Sequence, residues 1–442
     1  MDRRDFLKTM ALLAACGAAD RLAGNAFCAS PVPGARKCSP GVRSVIELWI
    51  WGGPSHLETF DPKPNAGHAY NGGFGDIPTN VPGIRISEFL PKLAQQMDKF
   101  SIIRSMCHGT NAHETATYLM QTGRMPGDGI TYPAIGAVIA MLKSRDYKGK
   151  LPPYIALTTN KGRFSENGFL SDKYKPLATG SNPNAAKFQV DGFVPPGNVT
   201  PEQIRRRLRF ASELDTFGHA LSGCPELLAF EKSGDQAQAV INGDDAKAFD
   251  LNLESKEMRD RYGRNTFGQC CLAARRLVEA GVPYITINAQ GWDTHKKHFE
   301  AMKRLGPEMD QGFSALLSDL SERKLLDSTL IWCTGEFGRT PRVDYGEPWN
   351  GGRNHFCHCF STVVAGGGFA GGRVLGASDE RGERPVERPV SPVDLLWSIY
   401  ELAGIDPAGK LPNPRGLDLT ILPPDGGKSR IKELYKNPEV KA

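Results

Sequence analysis

Six short apolar runs, each breaking off into a polar loop, constrain this chain more than any other feature. They are RSVIELWIWGG (43–53), SIIRSM (101–106), PPYIALT (152–158), VPYITINA (282–289), STLIWCTGEF (328–337) and FSTVVAGGG (360–368). Their length and their β-branched and aromatic content read as buried strands. Helical patterns lie between and after them: ISEFLPKLAQQMDKF (86–100), NAHETATYLMQTGR (111–124), GQCCLAARRLVEAG (268–281), PEMDQGFSALLSDL (307–320) and SPVDLLWSIYELAGI (391–405). In the fourth of these, Met309, Phe313, Leu316 and Leu320 recur on one helix face. Alternation of this kind predicts an α/β fold, a mainly parallel central sheet flanked by helices.

The domain is expected over residues 43–425, with 30–42 as a flexible linker and 426–442 as a C-terminal tail. The stretch from about 159 to 250 is rich in Asn, Gly, Pro and Lys and reads as an insertion capping one face of the sheet. Residues 1–29 read as a signal peptide. Arg3 and Arg4 precede Asp5, Phe6, Leu7 and Lys8, then a short apolar stretch and small residues. This is the twin-arginine export pattern, with the export machinery as the implied partner and the periplasm or cell surface as the destination. LLAAC also fits a lipoprotein cleavage box, which would make Cys16 the lipidated residue; cleavage further on, up to Ala29, is the alternative.

Composition excludes several classes. The net charge of +5 is spread without a basic block, which argues against a nucleic-acid partner. No segment reaches the roughly 18 uninterrupted apolar residues of a membrane span, so the mature chain is expected to have no transmembrane helix. Among ten cysteines, Cys270 and Cys271 read as small buried thiols, and Cys357 and Cys359 flank His358. No second Cys/His pair stands at zinc spacing, so a cysteine zinc site is not expected there.

In open α/β sheets, functional groups gather at the carboxyl ends of the strands. Here the strand ends carry Ser55, His56 and Asp61; His108, Asn111, His113 and Glu114; Asp293, His295 and His298; Glu336 and Arg339. GGRNHF adds Arg353 and His355, with His358 just after it, so that seven of nine histidines lie in or beside these loops. That concentration points to one shared polar site. Imidazole and carboxylate suit Zn, Mn or Fe, and a bound divalent ion would polarise an ester oxygen. In an extended DTH, Asp293 and His295 project to the same side; in a helix, His295 and His298 share a face. Arg339 and Arg353 can fork onto an anionic group, or they can brace loops. A metal-free hydrogen-bond network is the alternative reading of the cluster.

WGGPSHLETFDPKP, HETATYLMQTGR, GWDTH, TGEFGRTP and GRNHF, in this order after the leader, resemble an exported bacterial family of unknown function within the alkaline phosphatase/sulfatase superfamily. The resemblance implies a sheet between helices and a metal site for cleaving phosphate or sulfate esters. It puts His113 at the nucleophile's place, with Thr115 the nearest hydroxyl. It matches Asp293 to a metal aspartate and His355 to a late metal histidine. Lys297 stands where a companion histidine is usual, leaving His295 or His298 to substitute. Glu336 replaces an acid beside Phe337, which cannot ligate. His56 or Asp61 would stand in for a missing first-strand aspartate. The formylglycine signature of sulfatases is absent from the sequence.

The leading expectation is an exported metal-dependent hydrolase of a sulfate or phosphate ester, polysaccharide esters included. Its metal set is Asp293, His295, Glu336, His355 and His56, with Zn or Mn as the ion. His113 and Glu114 would act as acid–base partners, Arg339 and Arg353 would hold the anion, and an anionic ester or sulfated glycan would be the substrate. Two other readings stay open. One is a non-catalytic binding protein of the envelope on a degenerate sulfatase-like fold. The other is a metal-dependent isomerase or mutase.

Overall fold

The structure is a computed structural model. It describes residues 41–127, 129–159, 166–186, 244–424 and 430–438, with isolated residues at 188, 190, 202, 203 and 206. The expected leader with Arg3, Arg4 and Cys16, most of the linker, most of the 159–250 insertion and part of the tail lie outside the described residues.

The six apolar runs all form strands. In chain order the elements that matter are β1 (Ser44–Ile50), β2 (Phe100–Met106), α1 (His113–Thr122), α2 (Ile135–Lys143), β3 (Tyr154–Leu157) and β4 (Leu177–Ala178). They continue with α3 (Thr266–Glu279), β5 (Tyr284–Ala289), α4 (His298–Glu322), β6 (Thr329–Thr334), β7 (Gly338–Arg339) and β8 (His355–Phe356). Last come β9 (Phe360–Ala365), β10 (Arg373–Leu375) and α5 (Pro392–Leu402). Eight strands make one sheet in the order β10-β2-β9-β6-β1-β5-β3-β4. Every pairing is parallel except those of β9, which runs antiparallel to both β2 and β6. The expected mainly parallel α/β sheet is therefore present.

A sheet covered on both faces needs strands that are apolar on both faces. In β1, Ile46, Leu48 and Ile50 pack with Cys271 and Leu277 of α3 and with Phe313 and Leu316 of α4. Val45 and Trp49 pack on the other face, with Ile135 and Ile139 of α2 and Leu395 and Ile399 of α5. Burying each such side chain contributes about 1.5–3 kcal/mol. Glu47 interrupts this pattern. Its carboxyl accepts from Gln121, from the Tyr284 hydroxyl at 3.2 Å and from the Thr286 hydroxyl at 2.7 Å. Burial pushes its pKa up to about 7 against those hydrogen bonds.

Two helix expectations change. The 86–100 stretch is not one helix: Arg85–Ser87 is extended, Pro91–Ala94 is a single helical turn, and Phe100 already belongs to β2. Proline lacks the N–H that a continuing helix needs, so the turn starts at Pro91. The 307–320 pattern is only the second half of α4, which starts at His298 and passes through Pro307. No helix among the described residues is long and apolar enough to cross a membrane.

Strands β1, β2, β5 and β6 run in the same direction, so their carboxyl ends share one edge. The loops leaving those ends meet there, together with the N-terminus of α1 and the β7–β8 hairpin.

Candidate metal centre

Asp293 is the hub of this edge. Its Oδ1 lies 3.1 Å from His295 Nε2 and 3.2 Å from His355 Nε2, and its Oδ2 lies 3.4 Å from His113 Nε2. The Nε2 atoms of His295 and His355 are 2.9 Å apart. His113, Asp293 and His355 can each bring a ligand atom within 4.8 Å of the others. Ligands bound at about 2.0–2.1 Å in a tetrahedron stand about 3.3 Å from one another. The separations here fall close to that edge length.

Each ring is fixed from behind. His113 Nδ1 donates to Glu336 Oε1 at 2.5 Å, His295 Nδ1 to Asn354 Oδ1 at 3.0 Å, and His355 Nδ1 to the Asn111 carbonyl at 2.8 Å. A carbonyl or carboxylate oxygen cannot donate, so in each neutral ring these contacts put the proton on Nδ1 and turn an Nε2 lone pair inward; a ring that takes a second proton instead donates Nε2–H to Asp293. Three lone pairs and a carboxylate then face one another. Such a set repels itself unless a proton or a metal cation lies among them.

The backbone makes this approach possible at two glycines. Gly52 has φ +107°, and a Cβ there would lie 2.2 Å from the Asp293 nitrogen. A Cβ on Gly352 would lie 1.7 Å from the His295 carbonyl oxygen. Gly52 also donates its N–H to Glu336 Oε1 at 3.0 Å. Trp51 stacks on His113 at 5.3 Å, and Phe337 lies against the rings of His113 and His355 at 5.1 and 4.5 Å. The Asp293 side chain remains 41% exposed, so the cluster opens to solvent.

Electrostatics follow from these contacts. Burial opposes the charge on Asp293, but hydrogen bonds from His113, His355 and Arg339 hold its carboxyl well below the usual range. Burial also opposes charge on His113, yet its bonds to Asp293 and Glu336 raise it to about 9. His295 is lowered, chiefly by burial.

Of the expected site residues, Asp293, His295, His355 and His113 come together. Five others fall elsewhere. Glu336 is fully buried and spends Oε1 on Gly52 and His113, so it supports a ligand rather than facing the cluster. His56 is fully buried and turns Nε2 to the Gly382 carbonyl at 2.8 Å, outside the cluster. Glu114 is exposed on α1 with no contact to the cluster. Arg339 is fully buried and donates to the Gly52 and Arg353 carbonyls and to Asp293. Arg353 is fully buried and donates to the Thr340, Pro341 and Tyr70 carbonyls and to Glu58. Neither guanidinium presents a face to an incoming anion; both brace loops.

Sequence reasoning missed Glu58, Thr294 and Asn354. Glu58 accepts from Arg353 and from His298 Nε2 at 2.9 Å, while the Thr294 hydroxyl donates to His298 Nδ1 at 2.7 Å. This buried group ties the 50s loop to both ligand-bearing loops. The signal was an acid within the apolar HLETF, directly after His56 and Leu57. Among the described residues, no Ser, Thr or Tyr hydroxyl bonds to His113, Asp293, His295 or His355, Thr115 included.

Residues 42–433 match the family described as "Protein of unknown function (DUF1501)". The chain belongs to the DUF1501 family. The match spans the whole sheet and every member of the cluster, so this arrangement lies inside the DUF1501 unit itself. No curated protein matches the chain. Solved structures similar to it include the PsFucS1 sulfatase from Pseudoalteromonas sp., at 14% identity over 82% of this chain and 68% of that one, with a TM-score of 0.37. A putative sulfatase from Bacteroides thetaiotaomicron is 10% identical over 84% and 72%, with a TM-score of 0.39. The C-terminal periplasmic domain of EcEptC from Escherichia coli, in complex with Zn, is 10% identical over 92% and 96%, with a TM-score of 0.36. These likenesses are too slight to assign an activity.

Proposed function

We propose that the protein is an exported, metal-dependent hydrolase of a sulfate or phosphate ester. A single divalent ion, Zn or Mn, would be held by His113, Asp293, His295 and His355. The observation that carries this reading is the convergence of three Nε2 lone pairs on one carboxylate, at separations suited to a tetrahedral ion. Export rests on the Arg3–Arg4 leader.

What such an ion supplies when bound is Lewis acidity: it polarises an ester oxygen and lets water ionise near neutral pH. The chain supplies the rest. Glu336, Asn354 and Asn111 orient the imidazoles. Arg339 holds Asp293 ionised, in the direction a ligand needs. Trp51 and Phe337 wall the His113 side against water, while the exposed side of Asp293 admits substrate. With no hydroxyl on the cluster among the described residues, water rather than a serine or threonine would be the nucleophile.

The lack of a hydroxyl also favours a second reading, a non-catalytic envelope protein that keeps the fold. One experiment separates the two. Purified protein is analysed for bound metal and screened against sulfate and phosphate esters beside His355→Ala. Stoichiometric metal with turnover that His355→Ala abolishes supports the hydrolase. A metal-free protein without turnover supports the binding protein.

A further inference from the structure

Arg339 and Arg353 are both committed to the protein's own carbonyls and acids, so recognition of an anionic substrate has to come from elsewhere. Directly behind the β7–β8 hairpin lies a cavity of about 710 Å³. Its charged lining groups are Arg342, Arg384 and one acid, Glu383, with the His108 and His358 rings beside them. Arg342 is exposed and makes no hydrogen bond or ion pair among the described residues. Arg384 is 76% exposed and has only a loose 3.6 Å contact with Asp379. Glu383 already accepts from the Tyr70 hydroxyl at 3.2 Å. Two guanidiniums on one concave surface, one without a partner among the described residues and one only loosely paired, suit an incoming anion.

The lining is not only basic. Phe356 and Pro341 give it an apolar wall. A ligand that suits both features carries anionic substituents on a ring with an apolar face, as an acidic sugar does. The cavity is also joined to the metal cluster through the chain. Arg342 is three residues beyond Arg339, which holds Asp293, and Phe356 follows His355 in β8. His108 lies between the two, with Nε2 on the Glu336 carbonyl at 2.7 Å.

We propose that this cavity is a recognition subsite for a polyanionic glycan, with Arg342 and Arg384 binding a sulfate, phosphate or carboxylate substituent beside the one that is cleaved. The proposal rests on the hydrolase reading for its link to turnover, but its test does not use turnover. A sulfated heparin tetrasaccharide, its desulfated counterpart and a single-stranded oligonucleotide are titrated calorimetrically into wild-type protein, Arg342→Ser/Arg384→Ser and Arg342→Glu. Melting temperature and metal content serve as folding controls. The sulfated sugar should bind the wild type, and the double variant should bind it about tenfold or more weakly, as expected for two lost charge-assisted contacts. Arg342→Glu should weaken it as well, and the desulfated sugar, left with its carboxylates alone, should bind more weakly than the sulfated one. Equal binding by folded variants, equal binding of the desulfated sugar, or preference for the oligonucleotide would overturn the proposal. Failed hydrolysis with retained Arg-dependent binding would sink the hydrolase reading alone.

Discussion

The Nε2 atoms of His295 and His355 stand 2.9 Å apart, each ring pinned through its Nδ1 to an oxygen acceptor. Two imidazole nitrogens approach this closely only around a shared proton or a metal ion. A divalent ion that binds the native state alone stabilises it by about 3–4 kcal/mol at 100 to 1,000 times its Kd. Chelation should therefore lower the melting temperature measured by calorimetry, and zinc or manganese should restore it. Asp293→Ala should melt at the same temperature with and without chelator. If the variant still responds to added ion, the cluster is not the site.

Glu336 should matter through His113. Glu336→Gln keeps the volume but loses the charge that steadies the Nδ1 proton. Changes to such outer partners cost about 10- to 100-fold in metal affinity. A competitive chelator titration should show that loss, with the bound ion still present at saturation. Unchanged affinity would mean that Glu336 only fills space.

Acid should attack a different place. Burial raises the pKa of Glu58, but Arg353 and His298 outweigh it and bring it down to about 2. A carboxylate depressed on folding contributes stability that is complete above its unfolded value of 4.5 and is lost as pH falls towards 2. The loss should be on the order of 3 kcal/mol. Urea unfolding at stepped pH should show this limb, and Glu58→Gln should flatten it. At neutral pH the same variant should cost about 3–5 kcal/mol, because it leaves the buried Arg353 charge without its partner.

Gly52→Ala should disturb the centre without replacing any of its ligands. The new methyl would press on the Asp293 backbone from a residue with φ +107°. A destabilisation of about 2 kcal/mol or more is expected in urea unfolding, with reduced metal content in the folded fraction. A variant with wild-type stability would show that the two loops part easily.

The strands were legible because each buried run is apolar on both faces and breaks at a polar or glycine-rich end. Asp293 and His295 were legible for the same reason: a polar residue just past a parallel strand has the sheet edge to go to. His355 stands in the antiparallel β7–β8 hairpin and was legible only from the GRNHF motif. Roles were harder to read. Arg339, Arg353 and Glu336 are the residue types that bind anions or metals, and only three-dimensional packing shows that Glu336 Oε1 is taken by Gly52 and His113 and that both guanidiniums are buried against the protein's own carbonyls and acids. His113 and Glu114 are neighbours in sequence, yet the first turn of α1 points one inward and the other to solvent. The 86–100 stretch misled because helical spacing of its apolar residues says nothing about the break that Pro91 imposes.

The central strand carries one more consequence. β1 is laid between β5 and β6, so Glu47 meets Thr286 across 239 positions of chain. A ribosome releases β1 long before either neighbour exists, and the strand must wait without a partner on either side. Contacts of such long range close slowly. The cluster needs loops from both halves, so it can take up an ion only after translation has passed His355. Completion of the cluster is therefore a late event, and a chain truncated before His355 would have the oldest strand of the sheet but an incomplete cluster.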